Sequence, residues 1–187
     1  MKLTPLGIEG AWLAESPVWN DERGFFREWF KSEDLKCATG RDFGIEQANI
    51  SLSSVGTLRG IHYSIAALGQ AKWITCVSGS IQDVIVDIRP DSMSFGQWIE
   101  VELLGNSGQA VFISEGLGHG FVALVDNTAV AYLVSTPYSP TDEFEINPLD
   151  EKIGIKWGVD LRDLKISEKD KKAPTLAERL AEGKLPK

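Results

Sequence analysis

Ile81-Gln82-Asp83-Val84-Ile85-Val86-Asp87-Ile88 is the stretch that decides the fold. In an extended chain Val84, Val86 and Ile88 share one face, while Asp83 and Asp87 share the other. That is the period of two of a strand, not the 3.6 of a helix. Trp98-Ile99-Glu100-Val101-Glu102-Leu103 alternates in the same way. Working outward, further strand-like runs stand at Trp73 to Val77, Ala110 to Ile113, Phe121 to Val125 and Ala129 to Val134. Glycines 56, 79, 96, 105, 108, 116 and 118 fall between the runs. Ser78-Gly79-Ser80 and Val125-Asp126-Asn127-Thr128 read as hairpin turns. Many short strands at near-regular spacing, from about Gln47 to Val134, predict an all-β sandwich or barrel rather than a parallel α/β sheet. Helical pattern is mainly confined to the end. There Pro174 to Gly183 reads as a short amphipathic helix, capped by Thr175 and stopped by Gly183. Lys169, Lys171 and Lys172 sit in a polar stretch that reads as solvated surface.

Composition bounds the rest. A chain of 187 residues fits one domain, and one of that size buries roughly 70% of its unfolded surface. Its 19 basic and 27 acidic residues give a net charge of −8. That balance argues against a broad nucleic-acid or anionic-membrane surface, while leaving room for a few focused cations around a small anion. Cys37 and Cys76 cannot build a disulfide framework, and a reduced intracellular location is the cheaper reading. Met1 to Trp12 lacks the plan of a secretory signal, and no apolar run approaches a membrane span. A soluble cytoplasmic protein is the expectation.

The scarce residue types come next. His62 and His119 are the only histidines, each beside glycine at the edge of a strand-like run. Neither belongs to a His-x-His, a His-Glu-x-x-His or a Cys-x-x-Cys, so the sequence counts against a metal site. Arg59 and Lys72 carry cations into apolar strands, and Tyr132 lies within another. Each alone reads equally well as structural. Together they would line a pocket for an anionic substrate. Asp21-Glu22-Arg23-Gly24-Phe25-Phe26-Arg27-Glu28-Trp29-Phe30 alternates aromatic and charged residues. It reads either as an edge strand with charges outward or as a ring-stacking surface with an arginine for phosphate.

These pieces, in order, resemble a known family. Asp21 to Glu28, Gln47-Ala48-Asn49-Ile50-Ser51, Leu58-Arg59-Gly60-Ile61-His62-Tyr63 and Gln70-Ala71-Lys72 match the deoxythymidine-diphosphate-4-dehydrorhamnose 3,5-epimerases and their relatives in antibiotic deoxysugar pathways. So do Gly79, Asp83 to Arg89, Phe95-Gly96-Gln97-Trp98, Gly118-His119-Gly120-Phe121, Ser167 to Asp170 and Ala173-Pro174. The resemblance implies a cupin-type jelly-roll barrel over about 47–145, preceded by N-terminal strands in 1–46 and followed by a C-terminal segment, 146–187, with short peripheral helices. It implies a homodimer, no metal and no cofactor. It also implies roles: His62 as general base, paired with Asp170; Tyr132 as general acid on the other face of the sugar; Lys72 as the group that stabilises an enolate oxygen. Arg23, Glu28, Gln47, Asn49, Arg59, His119, Glu143 and Lys169 match substrate-contact positions, and Phe26 and Tyr138 match positions that contact the nucleobase.

The chemistry suits those residue types. In a dTDP-4-keto-6-deoxy sugar the hydrogens on C3 and C5 are both α to the C4 ketone, so a base with a pKa near 7 can remove either. The run Ser64-Ile65-Ala66-Ala67-Leu68-Gly69 departs from the family and is expected near the pocket mouth. Some relatives invert only C3 or only C5, and the residues above do not separate them. His119 mildly favours the fuller activity. A 3,4-ketoisomerase and a non-catalytic nucleotide-sugar-binding jelly roll are the remaining alternatives.

Overall fold

In the computed structural model, which describes residues 1–186, the chain begins with β1 (Lys2–Pro5), β2 (Ala11–Glu15), β3 (Trp19–Asp21), β4 (Gly24–Phe26) and helix α1 (Ser32–Thr39). Eight strands then follow: β5 (Gln47–Ser53), β6 (Thr57–Ser64), β7 (Lys72–Ser78), β8 (Ser80–Asp87), β9 (Trp98–Leu104), β10 (Gln109–Ile113), β11 (Leu117–Ala123) and β12 (Thr128–Val134). The C-terminal part holds β13 (Glu143–Glu145), β14 (Lys165–Ile166), α2 (Glu168–Lys171) and α3 (Leu176–Ala181).

The strands form two antiparallel sheets, ordered β1-β2-β10-β7-β12-β5 and β13-β6-β11-β8-β9, with β14 added parallel to β6. Within them β5 pairs with β12, β6 with β11, β7 with β10 and β8 with β9. That nesting is one long antiparallel ribbon wrapped so that successive pairs fall alternately in the two sheets. It is the jelly roll that the resemblance implies, and within the all-β sandwich or barrel class that the strand pattern predicts, with short peripheral helices.

The wrapping corrects both predicted hairpins. Ser78-Gly79-Ser80 joins β7 to β8, and Val125 to Thr128 joins β11 to β12, yet each turn carries the chain from one sheet to the other. The two corners interlock. Gly79 has φ +81°, and a Cβ there would lie 2.4 Å from Thr128 Oγ1. The Thr128 hydroxyl in turn donates to Val125 O at 2.8 Å.

The deciding strand is also buried more completely than its alternation implies. On β8, Ile81 and Ile85 face the barrel interior with Ile74, Leu103, Val111 and Val130. Val84, Val86 and Ile88 face outward, onto a second cluster with Ile153, Trp157 and Leu176 from the C-terminal segment. Neither side meets solvent, so Asp83 and Asp87 are buried aspartates rather than a wet face. Asp87 is satisfied by Arg89, Ser92 and Ser94. Burial pushes its carboxyl up, but those hydrogen bonds win and hold it at about 2. A third cluster covers part of the first sheet's outer face, where Leu35 of α1 and Phe43 pack on Trp73, Phe112 and Leu133. Each such large side chain, fully buried, contributes about 1.5–3 kcal/mol.

Other expectations divide. Thr175 caps α3 through a full capping box with Glu178, and Gly183 follows it at φ +65°. Helix α1 was not foreseen, because its N-cap is Lys31, which offers no side-chain acceptor, and its one buried residue, Leu35, makes a weak stripe. The run predicted at Phe121 to Val125 starts earlier, at Leu117, which puts His119 inside a strand. Cys37 is exposed and Cys76 buried, and both are free. No helix among the described residues is long and apolar enough to cross a membrane.

Candidate active site

The site lies between the two sheets. Its geometry starts at Gly60 on β6, where a Cβ would stand 2.4 Å from Gly120 Cα on β11. Only glycines let the two backbones approach so closely. Just beyond, His62 and His119 are register partners across the β6–β11 ladder. From the facing sheet come Lys72, at the start of β7, and Tyr132, on β12 opposite Asn49 of β5. A cavity of about 410 Å³ is lined by Ser51, Arg59, His62, Lys72, His119, Tyr132, Lys165, Ser167, Lys169 and Asp170, among others. An adjoining recess of about 200 Å³ shares His62, Lys72, Tyr132 and Lys169 and adds Gln47, Asn49, Gln70, Tyr138 and Glu143.

His62 Nε2 lies 2.8 Å from Asp170 Oδ1. Asp170 is 4% exposed and sits on α2, whose N-cap Ser167 accepts from the Asp170 amide. Burial pushes the Asp170 carboxyl up. Hydrogen bonds to His62, the Ser167 hydroxyl and the Gly60 amide outweigh that and hold it below its ordinary value. An ionised carboxylate on Nε2 keeps a proton there and leaves Nδ1 as the ring's free base. The lysine-rich stretch is thus more than solvated surface. Lys171 and Lys172 are exposed, but Asp170 is a buried partner of a pocket histidine, and Lys169 lines the cavity while pairing with Glu145 at 2.8 Å.

The remaining groups have environments that set their protonation. Burial lowers the affinity of the Lys72 ammonium for its proton, opposed by the charges of Glu143 and Asp83. Burial raises the Tyr132 phenol, with Arg59 pulling it down and Glu143 pushing it further up. The net effect keeps the phenol protonated well above neutral pH. Burial likewise raises Glu143, which accepts from Gln70 Nε2 at 2.9 Å. Gln47 Nε2 donates to Asn49 Oδ1 at 2.7 Å, and the Tyr138 amide donates to Gln47 Oε1 at 3.0 Å. Among the described residues Arg59 donates to Ser53 Oγ and Leu52 O and to no carboxylate. Among the described residues no group of three His, Cys, Asp or Glu side chains could hold a metal ion.

The family model for dTDP-4-dehydrorhamnose 3,5-epimerase matches residues 5–178. The chain belongs to the dTDP-4-dehydrorhamnose 3,5-epimerase family. A dTDP-4-dehydro-6-deoxyglucose 3-epimerase of a Streptomyces species is 44% identical over 182 residues, covering 97% of this chain and 92% of that one. A dTDP-4-dehydrorhamnose 3,5-epimerase of Mycolicibacterium smegmatis is also 44% identical, over 186 residues, covering 100% and 91%. A 3'-monoepimerase from Streptomyces bikiniensis, solved in complex with dTDP-quinovose, superposes with a TM-score of 0.93 at 43% identity, covering 97% of this chain and 91% of that one.

Of the residues that the epimerase family resemblance singled out, the cavity and its recess gather His62, Asp170, Tyr132, Lys72, Arg59, His119, Gln47, Asn49, Tyr138, Glu143 and Lys169. Three stay outside. Arg23 pairs with Asp21 on the β3–β4 hairpin, Phe26 is 66% exposed and stacks on Trp19, and Glu28 is exposed. The loop 64–69 lines a separate cavity with Arg89, Glu115 and Leu185, while Ser64 is the register partner of Glu143 and the neighbouring Gln70 reaches the recess. The sequence reading missed Ser51, Lys165, Ser167 and Gln70 as lining residues, and it missed Asp83 behind His119. Asp83 did leave a signal, an acidic residue within a strongly apolar strand, but the alternation placed it only on the face opposite Val84, Val86 and Ile88.

Proposed function

We propose that the protein is a cofactor-independent epimerase that inverts C3 and C5 of dTDP-4-dehydro-6-deoxy-D-glucose to give dTDP-4-dehydro-L-rhamnose. The observation that carries the reading is one cavity lined from opposite sheets by a carboxylate-paired histidine, His62 with Asp170, and a phenol held protonated, Tyr132. Inversion needs that opposition: a base on one face of the carbon and an acid on the other.

His62 takes the proton from the carbon α to the ketone, and the electron pair moves into an enolate with its charge on O4. Lys72 stabilises that oxygen. Tyr132 returns a proton to the opposite face; His62 then gives its proton to solvent and the Tyr132 phenolate regains one from solvent, and the cycle repeats at the second carbon. Asp170 stabilises the imidazolium that forms. General base catalysis supplies about 10²–10⁴-fold, so the electrostatic share at O4 is required as well. The two proton transfers balance without a redox partner, so no cofactor or metal is invoked. Arg59 and Lys169 take the diphosphate, Gln47 and Asn49 its polar surroundings, and Tyr138 the base.

Arg23, Phe26 and Glu28 enter as contacts to the nucleotide in a neighbouring subunit of a homodimer. The exposure of the β3–β4 hairpin supports this. So does a bare apolar strip on the first sheet's outer face, where Ile50 and Leu52 of edge strand β5 and Val77 of β7 are uncovered.

The test is proton NMR of the protein with the keto sugar in heavy water. Loss of both the C3 and C5 signals, with a rhamnose-configured product trapped by a reductase, is expected. The His62→Ala variant should exchange neither proton, and retained turnover would sink the base assignment. A second reading, inversion at C3 alone, is favoured by the 3-epimerase relative that matches as well as the 3,5-epimerase one. Exchange confined to C3 would select it.

A further inference from the structure

His119, which lines the cavity, belongs to a second histidine–carboxylate pair that the proposed mechanism does not use. His119 Nε2 lies 2.7 Å from Asp83 Oδ2, against 2.8 Å for His62 and Asp170. Asp83 is fully buried on β8 and points to the barrel side of the strand. Its other oxygen, Oδ1, is sealed from solvent and has no hydrogen-bond partner among the described residues. Burying a carboxylate is costly unless a charge or hydrogen bonds compensate it. A buried carboxylate therefore stands directly behind a histidine that lines the cavity, with one oxygen committed to that ring.

We propose that Asp83 is a positioning residue for the epimerisation: one of its oxygens, 2.7 Å from His119 Nε2, fixes the orientation of that ring in the cavity wall. The inference rests on the epimerase reading above. The carboxylate on Nε2 of His119 requires a proton there, so only Nδ1 remains for the substrate. That fixes the ring's hydrogen-bonding direction without any contact between Asp83 and the sugar.

Asp83→Asn keeps the shape and an oxygen for His119 but removes the charge. The expected result is a fall in kcat of about tenfold or more with KM within about threefold, because the loss falls on the transition state. In a His119→Gln background the kcat penalty of Asp83→Asn should shrink, since part of it acts through that ring. Unchanged kcat would overturn the proposal. So would a fall in kcat whose full penalty persists in the His119→Gln background, the mark of a purely structural role. Nitrogen NMR of the unmodified protein needs no variant to fold: His119 protonated at Nε2 is expected, and a ring protonated at Nδ1 alone refutes the arrangement. Failure of the unmodified protein to turn over the keto sugar would refute the epimerase reading, while the NMR result still decides the Asp83–His119 link.

Discussion

At the residue scale, the chemistry divides between groups whose type announces them and groups whose partner must be seen. His62, Lys72 and Tyr132 are scarce or out-of-place types on apolar strands, so the sequence alone marked them as pocket candidates. Asp170 came only through the resemblance, because an aspartate in a lysine-rich stretch has no local signal. Its meaning is the 2.8 Å contact with His62. The assignment of opposite faces yields a prediction that separates acid from base. Tyr132→Phe removes the phenol that burial keeps protonated while leaving His62 and Asp170 intact. The variant should still wash solvent deuterium into the α-carbon with retention, but its rate of inversion should fall by about 10²-fold or more. Deuterium incorporation and product configuration, followed in the same NMR sample, check it. Inversion at an undiminished rate would remove Tyr132 from the acid role.

At the scale of the element, strands were legible and their connections were not. Period-two alternation located β8, β9 and β12 to within a residue or so, because a pleated strand imposes its period on any side chains that must pack. A three-residue turn with glycine satisfies a hairpin and a sheet-to-sheet corner equally well, so Ser78-Gly79-Ser80 could not declare which it was. Burial on both faces of β8 was hidden for a related reason: its cover comes from Ile153, Trp157 and Leu176, far away in sequence. The β6–β11 approach at Gly60 is the element-level feature on which the site depends. Gly60 has φ +126°, and an added Cβ would meet Gly120 Cα at 2.4 Å and His119 O at 2.7 Å. Gly60→Ala should therefore cost about 2–4 kcal/mol, visible as a lowered thermal midpoint, and should depress kcat by moving His62 relative to His119. Gly24→Ala is the control. It has φ +125° but nothing within 4 Å, so backbone strain acts there without a clash. Equal losses at the two positions would mean that close approach contributes nothing at Gly60.

At the scale of the whole molecule, the uncovered surfaces are as informative as the covered ones. The C-terminal segment seals the outer face of the second sheet, and α1 with the N-terminal strands seals one end of the first. The other end keeps Ile50, Leu52 and Val77 bare, beside an edge strand and near a hairpin whose Trp19, Phe25 and Phe26 are also exposed. A single chain gathers eleven of the predicted residues around its cavity and leaves Arg23, Phe26 and Glu28 away from it. If a symmetric partner supplies those three, the contact is reciprocal: each hairpin completes the other chain's pocket. Mixing then becomes decisive. Arg23→Ala chains alone have two weakened pockets, and His62→Ala chains alone have two dead ones. A heterodimer of the two has one pocket with both defects and one with neither. Equal mixing after denaturation and refolding should thus recover about a quarter of the unmodified activity, half the dimers being mixed and each holding one intact pocket. Were Arg23 to act on its own chain's pocket, no mixed dimer would contain an intact site, and activity would stay at the mean of the two parents.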